Sequence, residues 1–389
     1  MPASQREHCI IGLRGRDDLR VVVPISGDPW VPRASGILTY ASGLGRYLSR
    51  QGIEVEFLVA GNNRSDGLVR AVQVTDTTER ELGYARDLHR FLQTHPFNPG
   101  TVLLTNSELH AWACRELRAS VPIILVAHGP TYPTLRKQRP FVALLFRLFV
   151  ERGIGDIVSQ IVAIDAETES YFSQSCPDTP IRRIPTGVDL EGFQPLDRNR
   201  CKAMWNVRDR PMLLYVGRLA REKRLDLALE TFRCLLANST NSVFLIAGDG
   251  PLVGPIRRRA ANLGDDRARV LGLVNRADLP SLYSAADAVI LTSAIEQSPT
   301  VAIESLACGT PVFATAVGEM PILLSDGRLG WIIDGSPQDM ADTIHVCFPE
   351  NQLERTKYET VRRNAAASRS WNEIGPSVVE VLHAALSSS

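Results

Sequence analysis

The sequence lacks a long apolar run, an excess of either charge and a hydrophobic leader. No uncharged run approaches the roughly 18–20 apolar residues that cross a bilayer, and the first seven residues contain no apolar core. We therefore expect neither a membrane span nor a signal peptide. Lys+Arg and Asp+Glu both number 43, so the net charge is zero and nothing favours bulk nucleic-acid binding.

The seven cysteines are scattered and include no C-x-x-C pair. This pattern argues against a disulfide framework or a zinc site and indicates a reducing compartment, so we expect a cytoplasmic protein. The sequence also lacks internal repeats and low-complexity tracts. With 389 residues, 44% apolar and 22% charged, it has the length of two globular domains.

Short β-rich runs alternate with helical patterns along the whole chain. Their apolar residues fall on both alternating faces, as in buried parallel strands with crossover helices. The pattern predicts an α/β fold of two doubly wound, Rossmann-like sheets. The predicted strands are Leu19–Ile25, Ile53–Val59, Thr101–Thr105, Pro122–Ala127, Ile161–Asp165 and Ile181–Ile184, then Met212–Val216, Val243–Ala247, Arg269–Leu271, Ala288–Thr292, Val312–Ala314 and Gly330–Ile333.

The predicted domain boundary is the polar segment Asp197–Arg210, which also serves as a predicted hinge. We expect residues 1–200 to form the first domain and residues 206–370 the second, with a second hinge at the chain return before Trp371. A dehydrogenase would share this alternation of strands and helices. However, the residues after Leu19–Ile25 do not read G-x-G-x-x-G, so no motif supports that alternative.

Two glutamates, Glu296 and Glu304, flank the start of a predicted helix that follows the strand Ala288–Thr292. Ser298 suits the N-cap and Pro299 the first helical position, and the helix should end near Gly309, about three turns on. Unpaired backbone N–H groups at such a helix start favour phosphate, whereas carboxylates suit hydroxyl groups. The stretch is compatible with a nucleotide sugar, although two glutamates at this spacing are also common in α/β proteins.

The second predicted domain opens with a strand, a glycine turn at Gly217 and two cations, Arg218 and Lys223. Arginine offers a planar fork and lysine a point charge, so together they make an anion clamp. A surface turn with solvated cations is the alternative. In the first domain, His128 ends a predicted strand, and a lone histidine of this kind is usually structural.

These motifs resemble those of the retaining GT-B glycosyltransferases of family 4. Glu296 to Glu304 resembles the E-x7-E motif, and Val216–Lys223 resembles V-G-R-L-x-x-E-K; the resemblance extends over about residues 19–389. It implies that Arg218 and Lys223 hold the donor diphosphate. It also implies a donor site that includes Gly217, Gly272, Leu273, Glu296, Ser298, Pro299, Thr300, Val301 and Glu304.

The resemblance extends to the first domain and to the end of the chain, where it implies that helix 371–389 packs back on the first domain. The family has a histidine at the end of this strand that bonds the donor sugar, which implies a catalytic role for His128. Ser35-Gly36 stands where the family has a glycine pair, whose backbone approaches the donor phosphate or the acceptor. Ser35 replaces the first glycine and Ile53 the usual histidine after Gly52, so the chain departs from the family on the acceptor side.

The implied activity is retaining transfer of a sugar, most often a hexose from a UDP-sugar, to an acceptor hydroxyl. Glu296 would hold the sugar hydroxyls and Glu304 the ribose hydroxyls. The sequence contains no Asp-x-Asp metal motif, so no metal and no cofactor are expected. Two alternatives stay open: a catalytically idle subunit that supports a partner enzyme, and a nucleotide-sugar epimerase.

Segment 136–152 is basic and rich in aromatic residues. Basic amphipathic helices lie in the headgroup region of membranes, so peripheral contact with the inner face of a membrane is one interpretation. Its apolar residues run nearly all the way round a helix, which favours a buried helix instead.

Overall fold

Two separate β-sheets organise the chain, and the predicted α/β fold class is confirmed. The computed structural model describes residues 19–27, 36–75, 81–238, 241–296 and 299–387. The first sheet is built from β1 (Arg20–Ile25), β2 (Glu54–Ala60), β3 (Arg64–Ser65), β4 (Arg70–Thr75), β5 (Thr101–Thr105), β6 (Ile123–Ala127), β7 (Gln160–Ala163) and β8 (Ile181–Arg183). Their order is β3-β4-β2-β1-β5-β6-β7-β8, and every pair is parallel except β3 with β4.

Strands β3 and β4 are absent from the sequence prediction. Of the six residues of β4, only Ala71 is fully buried, so the strand has no continuous apolar run of the kind that marks the central strands. The helices of this half are α1 (Gly36–Arg50), α2 (Glu81–Thr94), α3 (Glu108–Ala113), α4 (Thr131–Gln138), α5 (Pro140–Phe149), α6 (Ile154–Ile157) and α7 (Ala166–Ser175).

The second sheet is entirely parallel. It is built from β9 (Met212–Val216), β10 (Val243–Ala247), β11 (Ala268–Gly272), β12 (Ala288–Leu291), β13 (Val312–Ala314) and β14 (Gly330–Ile332). The order β11-β10-β9-β12-β13-β14 reverses direction between β9 and β12, and open α/β sheets bind ligands outside the carboxyl ends of the strands at such a switch point. Its helices are α8 (Arg198–Met204), α9 (Leu225–Asn238), α10 (Val253–Ala261), α11 (Leu279–Ala285), α12 (Thr300–Ala307), α13 (Met320–Leu323) and α14 (Pro337–Ala367).

The last helix, α15 (Trp371–Ser387), returns to the first sheet. Its Trp371, Val378 and Leu382 belong to the same buried cluster as Val21 of β1 and Leu44 of α1. Among the described residues, no helix combines the length and apolar character needed to cross a bilayer.

The segment Asp197–Arg210, predicted as the boundary and hinge, makes contacts with the second domain. Asp287, buried before β12, pairs with Arg198 and with Lys202 (3.0 Å) and accepts a 2.8 Å bond from the backbone of Met212. Further upstream, Val188 and Phe193 lie in the second domain's core. Residues 188–200 therefore pack with the second domain. The cations of α8 compensate the charge of the buried Asp287 carboxylate, which would be costly to bury unpaired.

The two chain crossings between the domains lie side by side. Val188 donates to the carbonyl of Arg369 at 2.8 Å, and Trp371 donates to the carbonyl of Val188 at 3.2 Å. Val188 and Ser370 form an isolated parallel bridge. At these two adjacent crossings the described chain passes between the first and the second domain.

Helix α5 contradicts the expectation of a buried helix. Ala143 and Phe146 face the core, but a second set of apolar side chains is open to solvent, with Phe141 70% and Phe149 69% exposed. Apolar side chains therefore occur on both sides of α5: those on one face pack inward, and those on the other are exposed to solvent.

Candidate active site

The switch point of the second sheet brings together two of the predicted site residues, Lys223 and Glu296. Lys223 follows β9 in a short 3-10 turn, and Glu296 lies in the loop after β12. The lysine Nζ donates to the Glu296 carboxylate at 2.7 Å, and Ser293 donates to the same carboxylate at 3.0 Å. The two charged side chains are only 23% and 15% exposed. A partly desolvated ion pair thus lies where this fold binds ligands.

Arg224, which was not identified from the sequence, holds the Lys223–Glu296 pair in position. Its backbone adopts the left-handed conformation at φ 44°, and its guanidinium donates to the carbonyls of Thr292 (2.8 Å) and Ser293 (3.2 Å). The Thr292 hydroxyl donates back to the carbonyls of Lys223 and Arg224, both at 3.0 Å. These bonds join the turn after β9 to the loop after β12 and hold Lys223 opposite Glu296.

The helix after Glu296 differs from the prediction. It begins at Thr300, with Pro299 at the N-cap position, and it ends after two turns at Ala307 rather than after three. The predicted N-cap, Ser298, lies outside the described residues. The Glu296 end of the loop is closely packed: at Gly318 (φ 55°) a Cβ would lie 2.0 Å from the carbonyl oxygen of Glu296, so only glycine fits there.

Glu304 lies inside α12 and is 3% exposed. One carboxylate oxygen accepts from Arg276 at 2.9 Å, and the other accepts from the Tyr283 hydroxyl at 3.0 Å. Burial, together with the Glu304 charge, raises the pKa of Tyr283 well above its usual value, so the phenol stays a donor. Neither partner was singled out from the sequence, and both hold the carboxylate in one orientation.

Arg218 carries its charge at the surface. Its side chain is 55% exposed and its guanidinium donates to Glu222, one turn along. The Tyr215 hydroxyl donates to the carbonyl of Arg218 at 3.1 Å and supports the turn. The structure therefore places Arg218 beside the Lys223 turn, in an exposed ion pair of its own.

Three glycine turns stack at the carboxyl edge of the second sheet. Gly217 donates to Ala247 at 3.0 Å, and Gly248 donates to Gly272 at 2.7 Å. At Gly248 (φ 147°) a Cβ would lie 1.8 Å from the carbonyl oxygen of Gly217, which only glycine avoids. The turn at Gly248 thus supports its neighbours. Leu273, predicted as part of the donor site, follows Gly272 and is 48% exposed.

In the first domain, His128 directly follows β6 and bonds to Asn106, which directly follows the neighbouring strand β5. The His128 Nε2 and Asn106 Oδ1 atoms are 3.0 Å apart, and Tyr40 packs edge-on against the imidazole at 4.9 Å. Burial lowers the pKa of His128 to about 4, so the ring is neutral at neutral pH. Asn106 was missed, although its place at the strand end is the available signal.

The remaining predicted pair, Ser35-Gly36, is described only in part. Ser35 lies outside the described residues, and Gly36 is the first residue of α1. A Cβ at Gly36 would meet no atom within 4 Å. Packing among the described residues therefore does not require glycine at this position.

The described residues show little sign of metal or disulfide chemistry. Across ranges 19–27, 36–75, 81–238, 241–296 and 299–387, no group of three His, Cys, Asp or Glu side chains converges. No disulfide joins the six cysteines within those ranges, from Cys114 to Cys347.

Two family models match the chain. The model described as Glycosyltransferase Family 4 matches residues 34–191, and the model described as Glycosyl transferases group 1 matches residues 198–364. Between them they span both domains and include every candidate side chain named above. Their limits also fall close to the connection between the domains.

The chain is similar to curated and solved proteins along most of its length. It is 28% identical over 385 residues to D-inositol 3-phosphate glycosyltransferase of Mycolicibacterium smegmatis, covering 88% of this chain and 85% of that one. Sucrose-phosphate synthase from Thermosynechococcus elongatus is 22% identical, with a TM-score of 0.80 over 96% of this chain and 100% of that one. Anabaena HepE, solved in complex with UDP and glucose, is 18% identical, with a TM-score of 0.70 over 94% and 100%.

The two family models together match most of the chain, and the solved neighbours share the two-sheet fold. The chain belongs to the GT-B glycosyltransferases of family 4.

Proposed function

We propose that this glycosyltransferase transfers a hexose, with retention of the anomeric configuration, from a nucleoside diphosphate sugar to an acceptor hydroxyl. The observation that carries the proposal is the partly buried Lys223–Glu296 pair at the switch point. It sets a phosphate-binding cation beside a hydroxyl-binding carboxylate, which are the two groups that a nucleotide sugar needs.

The leaving diphosphate is the group on which negative charge develops. Lys223 and Arg218, together with the backbone at the start of α12, stabilise that charge at the donor site. Thr300 and Val301 supply the first N–H groups of the helix. Arg218 exchanges its Glu222 partner for phosphate when the donor binds.

The two carboxylates have separate roles. Glu296 accepts hydrogen bonds from the hydroxyls of the donor sugar, while Glu304, oriented by Tyr283 and Arg276, accepts from the ribose. The backbone of Gly272 and Leu273 meets the nucleobase. His128, neutral because burial lowers its pKa to about 4, bonds the sugar without adding a positive charge.

The acceptor hydroxyl attacks the anomeric carbon on the face from which the diphosphate leaves. The bond from that carbon to the diphosphate oxygen breaks as the new glycosidic bond forms, and the acceptor proton passes to the leaving phosphate oxygen. No metal takes part in this scheme. UDP is the favoured nucleotide, since the structurally similar HepE was solved in complex with UDP and glucose.

The acceptor is a carbohydrate-like molecule bearing free hydroxyls: a glycan, a glycolipid or a small polyol glycoside. The relative named for D-inositol 3-phosphate makes a phosphorylated cyclitol the first acceptor to test.

A donor panel followed by proton NMR tests the proposal. UDP-, GDP- and ADP-hexoses are incubated with the protein, with and without inositol phosphate and chelator. Release of nucleoside diphosphate with an axial donor anomer retained in the product supports retaining transfer. An inverted anomer contradicts retention, and activity lost with EDTA and restored by Mg²⁺ contradicts metal independence.

The two alternatives give different spectra. Binding without turnover of any donor identifies an idle subunit, and a nucleotide sugar epimerised in place identifies an epimerase. The intact set of Arg218, Lys223, Glu296 and Glu304 favours transfer over an idle subunit.

A further inference from the structure

The exposed face of α5 has helical periodicity. Phe141, Leu144, Leu145, Leu148 and Phe149 follow the spacing i, i+3, i+4, i+7, i+8, which places them along one stripe. Their exposed fractions range from 40% to 70%. The opposite side, formed by Ala143 and Phe146, is buried. One helix thus presents five large apolar side chains to solvent in a single stripe.

Arginines surround this stripe. Arg136 and Arg139 precede it, Arg147 lies within the helix and Arg152 follows it, and all four are exposed. Arg147 is held in place by Tyr132, whose ring lies 4.9 Å from the guanidinium carbon. An apolar stripe bordered by cations complements a surface that is apolar inside and anionic outside.

A cavity of about 800 Å³ adjoins the stripe. Arg136, Arg147 and Arg152 line it together with Tyr132, Tyr171 and Glu151. The acid among them, Glu151, is buried, accepts a hydrogen bond from the Tyr171 hydroxyl, and has its pKa raised by burial. The recess is therefore positive at its rim and large enough for a phosphate headgroup.

A second copy of this chain fits the face poorly. A two-fold contact would place the same arginines opposite each other, and like charges repel. A ten-residue helix is also only about 15 Å long and about 10 Å wide. Its face offers roughly 150 Å², against the roughly 800 Å² per partner of a stable interface.

We propose that the segment from Arg136 to Arg152 binds the surface of a membrane that contains anionic phospholipids, with the α5 stripe inserted at the headgroup level. Phe141 and Phe149 enter at the two ends of the helix, and the arginines contact lipid phosphates. Interfacial helices combine an apolar face with basic flanks in this way. Arg136 follows His128 by eight residues, and the helix that contains it, α4, begins three residues after His128.

Vesicle flotation tests this surface without any substrate. The protein is mixed with vesicles of phosphatidylcholine alone or with phosphatidylglycerol added. We expect flotation with the anionic vesicles only, weakened in about 1 M salt because the Debye length there is only ~3 Å. The double variant Phe141→Ser/Phe149→Ser should partition at least about tenfold more weakly. The matched control Leu82→Ser, at a 67% exposed position on α2, should float like the wild type.

A charge variant separates the contribution of the arginines to vesicle binding from that of the apolar stripe. Arg139→Gln/Arg152→Gln should lose anionic binding severalfold, whereas Arg233→Gln on α9 should not. All substituted side chains are exposed, so melting temperatures should stay within a degree or two of the wild type and show that each variant is folded.

Three outcomes would overturn the proposal. They are no flotation of the wild type with anionic vesicles, equal flotation with phosphatidylcholine alone, and undiminished flotation of the phenylalanine variant. A dimer in light scattering that the phenylalanine variant abolishes, with no vesicle binding, would assign the face to a second copy. None of these readouts depends on the transfer reaction.

Discussion

Lys223 donates a 2.7 Å hydrogen bond to Glu296 although the two residues are 73 positions apart in the chain. The bond spans the switch point between β9 and β12, and both side chains are largely buried. If the pair acts as one unit on the donor, the effects of removing its members are not independent.

The first prediction concerns this coupling. Lys223→Ala should lower kcat/KM for transfer by about 10²–10³-fold, the magnitude typical of losing one charge-stabilising donor. Glu296→Ala should also lower it, and the double variant should lose far less than the product of the two losses. The measurement is initial-rate release of nucleoside diphosphate. Arg221→Ala, exposed in the same turn, is the control and should retain activity; a fully multiplicative double variant would argue against a coupled pair.

The second prediction uses the open space at Gly36. Gly36→Ala should leave the melting temperature unchanged, because its Cβ meets nothing within 4 Å, but should lower transfer at least about tenfold since the methyl obstructs the approaching ligand. Gly45→Ala on the same helix is the converse control. Its Cβ would lie 2.8 Å from the Phe57 ring, so it should cost about 1–3 kcal/mol of stability. Full activity of Gly36→Ala would show that no ligand approaches there.

The third prediction concerns pH. The unfolded His128 binds a proton near pH 6.5, whereas burial lowers the folded pKa to about 4. Between these values the unfolded state binds more protons, so stability is fully present above pH 6.5 and is lost as the pH falls towards 4. With the ring only partly exposed, the loss from pH 7 to pH 5 should be about 1–2 kcal/mol.

Urea unfolding of the wild type and His128→Gln at pH 7 and pH 5 measures this difference. The variant should lose less stability than the wild type over the interval. Parallel losses in the two proteins would show that His128 is not held neutral.

The fourth prediction concerns the Arg218–Glu222 pair. Glu222→Gln frees the guanidinium for phosphate, so the affinity for UDP should rise about two- to fivefold, the equivalent of an exposed ion pair. Titration calorimetry measures the affinity. Glu230→Gln, which breaks the comparable exposed pair with Arg233, should leave it unchanged. Weaker binding by Glu222→Gln would mean that Glu222 orients Arg218 for the donor.

The sequence predicts the central strands well because buried parallel strands are continuous apolar runs. Met212–Val216 and Val243–Ala247 match the structure residue for residue. It misses β4, whose burial is partial, and it starts the helix after Glu296 at Pro299, one residue before the observed start at Thr300. Those features depend on neighbours in the fold rather than on local pattern.

The site shows the same division. Motifs identify Lys223 and Glu296, since their spacing is local to two short stretches. Asn106, Arg224 and Tyr283 carry no motif, and each acquires its partner only when distant strands align. The contacts that α8 makes with the buried Asp287 have no local signal either, because the composition of segment 197–210 shows only that it is polar.

The last prediction concerns movement about the paired crossings at Val188 and Ser370. Trp371 packs edge-on against Tyr40 at 5.3 Å, and Tyr40 packs in the same way against His128. These ring contacts connect His128 to the crossings. Closure should therefore carry the Lys223 turn towards His128, with residues 188–210 moving as part of the second domain. Small-angle scattering should give a smaller radius of gyration with a nucleotide sugar than without, because donor binding favours the closed form. UDP alone has no sugar to contact His128, so it should reduce the radius of gyration less than a nucleotide sugar does. An unchanged scattering curve at saturating donor, with binding confirmed by calorimetry, would count against domain closure. Donor binding would then order loops only locally.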